Sequence, residues 1–230
     1  LISLFFFFFC LDLGFEKAGF HTVLANEYDK NICPTFRANF PNTQLIEGDI
    51  RKLDTSILPT NITGIIGGPP CQGFSMANRQ RLIDDPRNYL YKSYVEVVEK
   101  VRPKFFVMEN VKGIMSAPLK HVPTSERDES DPEQKLGTVL DVILAEFNKL
   151  GYKTVYGVLD AVNYGTPQFR ERFVLIGSRD HEEVFLPVPT HFQMHQNPEY
   201  RWRTVGDVIR GLENDDKECA TLSEERKHYL

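Results

Sequence analysis

Residues 62–75 constrain this chain more than any other stretch. Ile62-Thr63-Gly64-Ile65-Ile66 is a short, β-branched apolar run of the kind that fills a buried strand. Gly67-Gly68-Pro69-Pro70 ends it abruptly, because proline fixes its own backbone and offers no N–H to a ladder. Cys71 is therefore presented on a stiff turn at a strand's carboxyl end, and Gly73 lets the chain turn again beside the thiol. In open α/β sheets, ligands and chemistry gather outside such strand ends. A cysteine beside a turn is commonly just a small buried hydrophobe. The Pro-Pro-Cys-Gln setting argues instead for a nucleophile.

The same grammar recurs along the chain. Leu1 to Phe5, Val23 to Glu27, Lys104 to Met108, Thr154 to Leu159 and the run into Gly177 read as strands. Between them, Leu11 to Phe20 (with Leu11, Phe15 and Ala18 on one face), Tyr91 to Val101 and Leu136 to Leu150 have helical spacing, with glycines as stops for the first and last. At 230 residues this makes one substantial α/β domain whose core needs no disulfides. The four cysteines are widely spread with no C-x-x-C pair, which points to a reducing compartment and away from a zinc site. No apolar run approaches the roughly 20 residues of a membrane span. The apolar start lacks the basic region and cleavage site of a signal peptide, and the missing initiator Met suggests that the chain does not begin at a natural start. A net charge of −5 announces no global basic field for a polyanion, although a cleft can be basic on an acidic protein.

Several strand ends carry polar groups. Glu27 closes the second strand roughly 20 residues beyond the first turn, where a carboxylate can either be solvated or take two ribose hydroxyls. Glu109-Asn110-Val111 follows the fourth strand run. Arg170 and Arg172, two apart on an extended segment, should point the same way. Met76 to Tyr91 is too polar for a core element and reads as a solvated connection or a mobile active-site loop. Pro118 to Gln134 reads as a surface loop, and Thr204 to Leu212 as a short capped helix.

Taken in order, these segments are similar to motifs of the C5-cytosine-specific DNA methyltransferases. Gly67 to Ser75 resembles that family's nucleophile motif, and Glu109-Asn110-Val111 its second catalytic signature. Gln168-Phe169-Arg170-Glu171-Arg172 resembles its Gln-x-Arg-x-Arg motif, and Asp85 to Leu90 the motif after the nucleophile. Ser3-Leu4-Phe5 and Leu11 to Phe20 match the flanks of its cofactor turn, while Asn26 to Asp29 and Gly48-Asp49-Ile50 resemble its ribose and adenine segments. The resemblance implies a Rossmann-like S-adenosylmethionine-dependent methyltransferase sheet with helices on both faces. It implies Cys71 as nucleophile, Glu109 at cytosine N3, Asn110 on the exocyclic side, Arg172 at O2, and Arg170 orienting the loop. S-adenosylmethionine would lie against Phe5, Glu27, Tyr28, Asp49, Ile50, Pro69 and Leu90. Ser75, Arg79 and Arg81 would meet nucleic-acid phosphate, and no metal is expected.

Residues 1–179 are then expected to form the catalytic domain. Residues 180–230 would be a connection toward a target-recognition domain absent from this chain, along with the last two family motifs. Implied partners are double-stranded DNA and a cognate restriction endonuclease, with a monomer and no membrane. The expected location is the cytoplasm, at the nucleoid, for a bacterial protein and the nucleus for a eukaryotic one. A tRNA cytosine-5 methyltransferase shares the same catalytic pieces, and an inactive nucleic-acid-binding relative is a further alternative. Support for the latter is Phe6-Phe7-Phe8-Phe9, which stands where the family has a small, glycine-rich turn. Four bulky rings there either fill the cofactor pocket or do not represent the natural residues, and the intact flanks favour the second.

Overall fold

The computed structural model describes residues 1–5, 10–70, 90–119, 128, 130–180 and 183–211. The expectations placed on Phe6 to Phe9, on Cys71, Ser75, Arg79 and Arg81, and on most of the Pro118–Gln134 loop lie outside these residues. The described elements are β1 (Ile2–Leu4), α1 (Cys10–Lys17), β2 (Leu24–Glu27), α2 (Cys33–Asn39), β3 (Gln44–Glu47), β4 (Gly64–Gly67), α3 (Leu90–Val101), β5 (Phe105–Asn110), α4 (Thr138–Lys149), β6 (Lys153–Asp160), β7 (Glu171–Ser178) and α5 (Val205–Ile209).

The strands form one seven-stranded sheet in the order β3-β2-β1-β4-β5-β7-β6. β1 lies parallel to β2 and β4, β2 to β3, and β4 to β5, whereas β7 runs antiparallel to β5. Register partners share a face, so each face can be followed across the sheet. Ile2, Leu4, Leu24, Ile65, Phe106, Met108, Phe173 and Leu175 pack with Tyr94, Val97 and Val98 of α3 and Leu140, Ile143 and Phe147 of α4. On the opposite face, Leu1, Ile66 and Val107 meet Leu11 and Phe15 of α1, and Ala25 meets Phe36 of α2. Helices thus cover both faces, as expected for a doubly wound sheet. The central strands β1, β2 and β4 are buried along their length, and β1 and β2 carry the buried polar residues Ser3, Asn26 and Glu27 among their apolar ones.

Two contacts hold the middle of the sheet. Tyr94, fully buried, sets its hydroxyl 3.1 Å from the carbonyl of Ile65 and 3.0 Å from that of Val107. A Cβ at Gly67 would stand 2.2 Å from the Leu4 carbonyl oxygen, so only glycine lets β4 end this close to β1.

Ala18 departs from its expected place. It is exposed, because α1 ends at Lys17, and the buried stripe turns through Leu11, Asp12 and Phe15 instead. Gly19, at a φ of +87°, takes the chain off the helix.

The chain divides into two compact units, Leu1–Leu159 with Glu171–Val188, and Asp160–Arg170 with Pro189–Leu230. The second unit is tied together around Asn163. Its carbonyl accepts from the N–H groups of Thr190 and His191, and its side-chain oxygen from Trp202 Nε1 at 3.0 Å. The Phe169 and Trp202 rings meet edge to face at 5.3 Å. α5 starts on a reciprocal Thr204–Asp207 capping box, as the sequence suggests for a short capped helix.

Candidate active site

The carboxyl ends of β4 and β5 and the start of β7 meet at one edge of the sheet, because an antiparallel β7 brings its first residues beside the last residues of β5. The register pairs Glu109 with Val174 and Asn110 with Phe173. Arg172 follows from this register, with its Nε 2.8 Å from Glu109 Oε1. Both side chains keep about a third of their surface open, at 29% for Arg172 and 33% for Glu109. The pair can therefore face a ligand while each partner offsets the other's charge.

Asn110 is buried and does a different job. Its Nδ2 donates to the Pro69 carbonyl at 2.9 Å, and its Oδ1 accepts from the Val111 N–H at 2.8 Å. The side chain thereby fastens the Pro69-Pro70 turn that leads into Cys71. Gly68 gives this turn its room, since a Cβ there would lie 3.1 Å from Glu109 Oε2. Beyond β5, Lys112 pairs with Glu171 at 2.9 Å in an exposed ion pair.

Arg170 does not share the strand with Arg172. β7 begins at Glu171, and Arg170 belongs to the second unit, where its N–H donates to the Asp160 carboxylate at 2.8 Å and its carbonyl accepts from Ala161. The chain is held at Asp160 just before the strand starts.

Glu27 terminates β2 with its carboxylate already aimed. Oε1 accepts from the N–H groups of Tyr28 and Asp29, each at 2.9 Å. Among the described residues Oε2 has no hydrogen-bond partner, which leaves it open to hydroxyl donors. Burial pushes the Glu27 carboxyl above its ordinary value, against the two N–H groups that favour the anion. Asn26 holds the neighbouring loop by donating to the carbonyls of Ile46 and Gly48. Tyr28 is 73% exposed and available as a flat surface. Asp49 is gripped by Arg51, whose guanidinium lowers its carboxyl, so a ligand amino group would share this acid with an arginine. Ile50 is in the core and offers a ligand only its main chain. Leu90 opens α3, partly buried against the same core. Phe5 stands at the end of β1 with a φ of +58°, in the left-handed region that phenylalanine rarely adopts.

An aimed carboxylate at the end of β2 and an exposed ring beside it suit an adenosine group. The acid–arginine pair beyond β5 suits a polar heterocycle. A cavity of about 580 Å³ lies at the opposite ends of β4 and β5, lined by Thr63, Lys100, Arg102, Lys104 and Arg179. Among the described residues that line it there is no cysteine, histidine or carboxylate. Among the described residues, no cluster of His, Cys, Asp or Glu could hold a metal ion, and no helix is long and apolar enough to cross a membrane.

Comparison with known proteins decides the family. The sequence profile of the C-5 cytosine-specific DNA methylases matches residues 1–229. The chain belongs to that family. This methylase chain is 40% identical over 204 residues to the type II methyltransferase M1.HphI of Haemophilus parahaemolyticus, covering 86% of this chain and 48% of the relative. It is 39% identical over 218 residues to the type II methyltransferase M.AquIA of Picosynechococcus, covering 88% of this chain and 84% of the relative. Against M1.HphI and M.NgoPII of Neisseria gonorrhoeae, the methylase chain spans about half the relative's length (48% and 54%). Among solved structures, an E. coli prophage-encoded protein described as a DNA modification methyltransferase superposes with a TM-score of 0.68 at 29% identity, covering 93% of this chain and 55% of that one. Dnmt2 of Schizosaccharomyces pombe, at 16% identity and a TM-score of 0.58, shares the fold over 80% of this chain and 52% of its own. The Rossmann-like methyltransferase fold is thus shared with both solved structures.

Two features of the structure are not legible in the residues one at a time. The attachment of Asn110 to Pro69 needs the β4–β5 register, and the burial of Asp12 needs the rotation of α1. The signal for Asp12 is an acid set between Leu11 and Phe15 on the apolar stripe of a short helix.

Proposed function

We propose that this chain is the catalytic part of a DNA (cytosine-5)-methyltransferase, transferring a methyl group from S-adenosylmethionine to C5 of a flipped cytosine through a covalent Cys71 adduct at C6. The observation that carries the reading is the Glu109–Arg172 ion pair beside the Asn110-held turn that leads into Cys71. Cytosine C5 is too poor a nucleophile to take a methyl group unaided. Addition of a thiolate at C6 makes C5 enamine-like, and a proton or hydrogen bond at N3 makes that addition feasible. Cys71 supplies the thiolate and Glu109 meets N3; once C5 carries the methyl group, loss of the C5 proton to a base breaks the C6–sulfur bond and returns the Cys71 thiolate. Arg172, which also touches Glu109, reaches O2. Asn110 acts through the turn, holding Pro69 and hence the direction from which Cys71 arrives. A thiol of pKa ~8.5 needs help to ionise at neutral pH, and neighbouring arginines suit that task.

When bound, S-adenosylmethionine supplies the electrophilic methyl group, with Glu27 on its ribose, Tyr28, Phe5 and Leu90 against its adenine, and Asp49 and the main chain of Ile50 at the adenine edge. The target base has to leave the stack before C6 can be reached. Ser75, Arg79 and Arg81 belong to the segment that would close over the flipped base and meet phosphate. The partners are double-stranded DNA and, as suits the type II relatives, a restriction endonuclease of the same specificity. The chain works as a monomer where the DNA lies, in the bacterial cytoplasm. Residues 180–230 lead toward a target-recognition domain.

The test is covalent trapping on a 5-fluorocytosine duplex with S-adenosylmethionine, read as a shifted band after denaturation. Wild type should trap and Cys71→Ala should not, with an equivalent RNA giving far less product. Undiminished trapping by Cys71→Ala would remove the proposed nucleophile.

A further inference from the structure

The cavity of about 580 Å³ at the far ends of β4 and β5 is a basic hollow on an acidic protein. The chain carries a net charge of −5, yet Lys100, Arg102, Lys104 and Arg179 all line this one space and no carboxylate lines it. Among the described residues Lys100, Arg102 and Lys104 make no ion pair, and Arg179 pairs only with Asp180, its neighbour in the chain, at 3.3 Å. The walls are also held in place. Arg102 has a φ of +53° and Asn61 one of +61°, so the cavity is lined by two of the three non-glycine residues at positive φ among those described. Such backbone persists only where its surroundings over-determine it. Around Arg102 they do. Its N–H donates to the Val98 carbonyl, and its guanidinium donates to the Leu150 carbonyl and lies 5.7 Å from the centre of the Tyr152 ring. Tyr152, itself buried, donates its hydroxyl to the Pro103 carbonyl at 2.7 Å, and the Lys104 carbonyl accepts from the Arg179 N–H at 2.9 Å. A guanidinium has five N–H donors, so the Leu150 contact leaves others for a ligand.

Like charges gathered without a counterion repel one another, and a hollow with protein walls focuses their field. An anion bound among them relieves that repulsion. Phosphate suits these groups, because arginine forks and lysine ammoniums both take its oxygens, and the Ser56 and Thr60 hydroxyls add neutral donors. A hollow of this volume takes a small molecule, whereas a duplex backbone is a convex ridge that would meet only its rim. No aromatic ring lines it, so a nucleobase would find nothing to stack on. We propose that this cavity is a binding site for a polyphosphate chain, free or carried by a nucleotide, recognised through its phosphates and not through its base. Lys104 precedes β5 and Glu109 lies near the end of that strand, on the order of 16 Å further along. The anion site is therefore separate from the proposed centre of methyl transfer and does not rest on that reading.

Recognition of this kind has two signatures. Affinity grows with the number of phosphates, since each adds charge against the same cations, and it falls as salt screens them. Loose association of an anion with surface lysines would share the salt dependence, but it would not distinguish Lys100 and Lys104 from a lysine elsewhere.

The experiment is calorimetric titration of the full chain with inorganic triphosphate at about 0.1 M salt. It compares wild type with the charge reversals Lys100→Glu and Lys104→Glu, and with Lys135→Glu, an exposed lysine outside the cavity. Wild type should bind a single triphosphate with a Kd of about 10–100 μM, and orthophosphate at least about tenfold more weakly. Each cavity reversal should weaken triphosphate at least about tenfold, and Lys135→Glu less than about twofold. Adenosine triphosphate should displace the inorganic chain, whereas adenosine and S-adenosylhomocysteine should not. A wild type that takes up no triphosphate, equal losses in all three variants, or displacement by adenosine or S-adenosylhomocysteine overturns the inference. Displacement by a short DNA duplex overturns it as well, since the anion would then occupy a contact for nucleic-acid backbone. The wild-type titrations alone can overturn it, so a variant that folds poorly does not protect it.

Discussion

At the end of β5 the protein answers an acid with its own cation, and at the start of α1 it leaves one unanswered. Glu109 is partly open to solvent and held by Arg172, with both charges on show. Asp12 is sealed between helix and sheet, and no cation among the described residues acts on its carboxyl. An ion pair at an edge tolerates ionisation at little cost, whereas a lone buried carboxylate sits close to its own titration. The two sites therefore differ in how their charge is kept. The first keeps its charges at the surface, and the second keeps its acid inside.

The comparison can be broken at its stronger end first. Arg172→Ala should lower methyl transfer about 100- to 1000-fold, measured as single-turnover rate on saturating DNA, because Glu109 then stands alone beside the base. A loss confined to KM would mean that the pair merely docks substrate. At the other end, Asp12→Asn should raise the melting temperature at pH 8 and not at pH 4. The sign follows from a folded pKa of about 6 against an ordinary 3.8. Stability from this group is fully present below 3.8 and lost as pH rises through about 6, a difference of at most about 3 kcal/mol. A variant less stable than wild type at pH 8 would show Asp12 to be a structural anchor. Asn110→Ala should cost about 1–3 kcal/mol by denaturant melt, since it frees a buried carbonyl at Pro69. Glu27→Ala should weaken S-adenosylhomocysteine about tenfold by calorimetry, while Glu99→Ala on the exposed side of α3 should not; equal losses would remove Glu27 from the ribose. Smallest of all, Lys112→Ala should change stability by under about 1 kcal/mol, because its ion pair with Glu171 is exposed on both sides.

The strands and their helices were readable because burial on both faces leaves continuous apolar runs such as Ile65-Ile66 and Phe105 to Met108, punctuated by glycine and proline. The boundaries moved by a residue or two where ends are set by tertiary contacts, as at β4, whose last residue is fixed by the close approach of Gly67 to Leu4. Site residues were legible as polar letters at strand ends, but their partnerships were not. That Glu109 meets Arg172 depends on β7 running antiparallel, and no local pattern in the sequence encodes strand direction. Ala18 leaves its expected face, and Asp12, on which the sequence places no expectation, joins the buried stripe. A helix that stops at Lys17 moves one off the buried face, and the rotation of its short stripe puts the other at the centre.

The placement of β7 also bears on how the chain is assembled during synthesis. A ribosome releases β1 to β5 long before it releases Arg172, so a nascent sheet carries Glu109 without its counterion until the final hairpin has emerged and slotted in beside β5. The Glu109–Arg172 edge is thus complete only once β7 has been made. A chain interrupted during synthesis would carry the Pro-Pro-Cys turn but not the arginine beside Glu109.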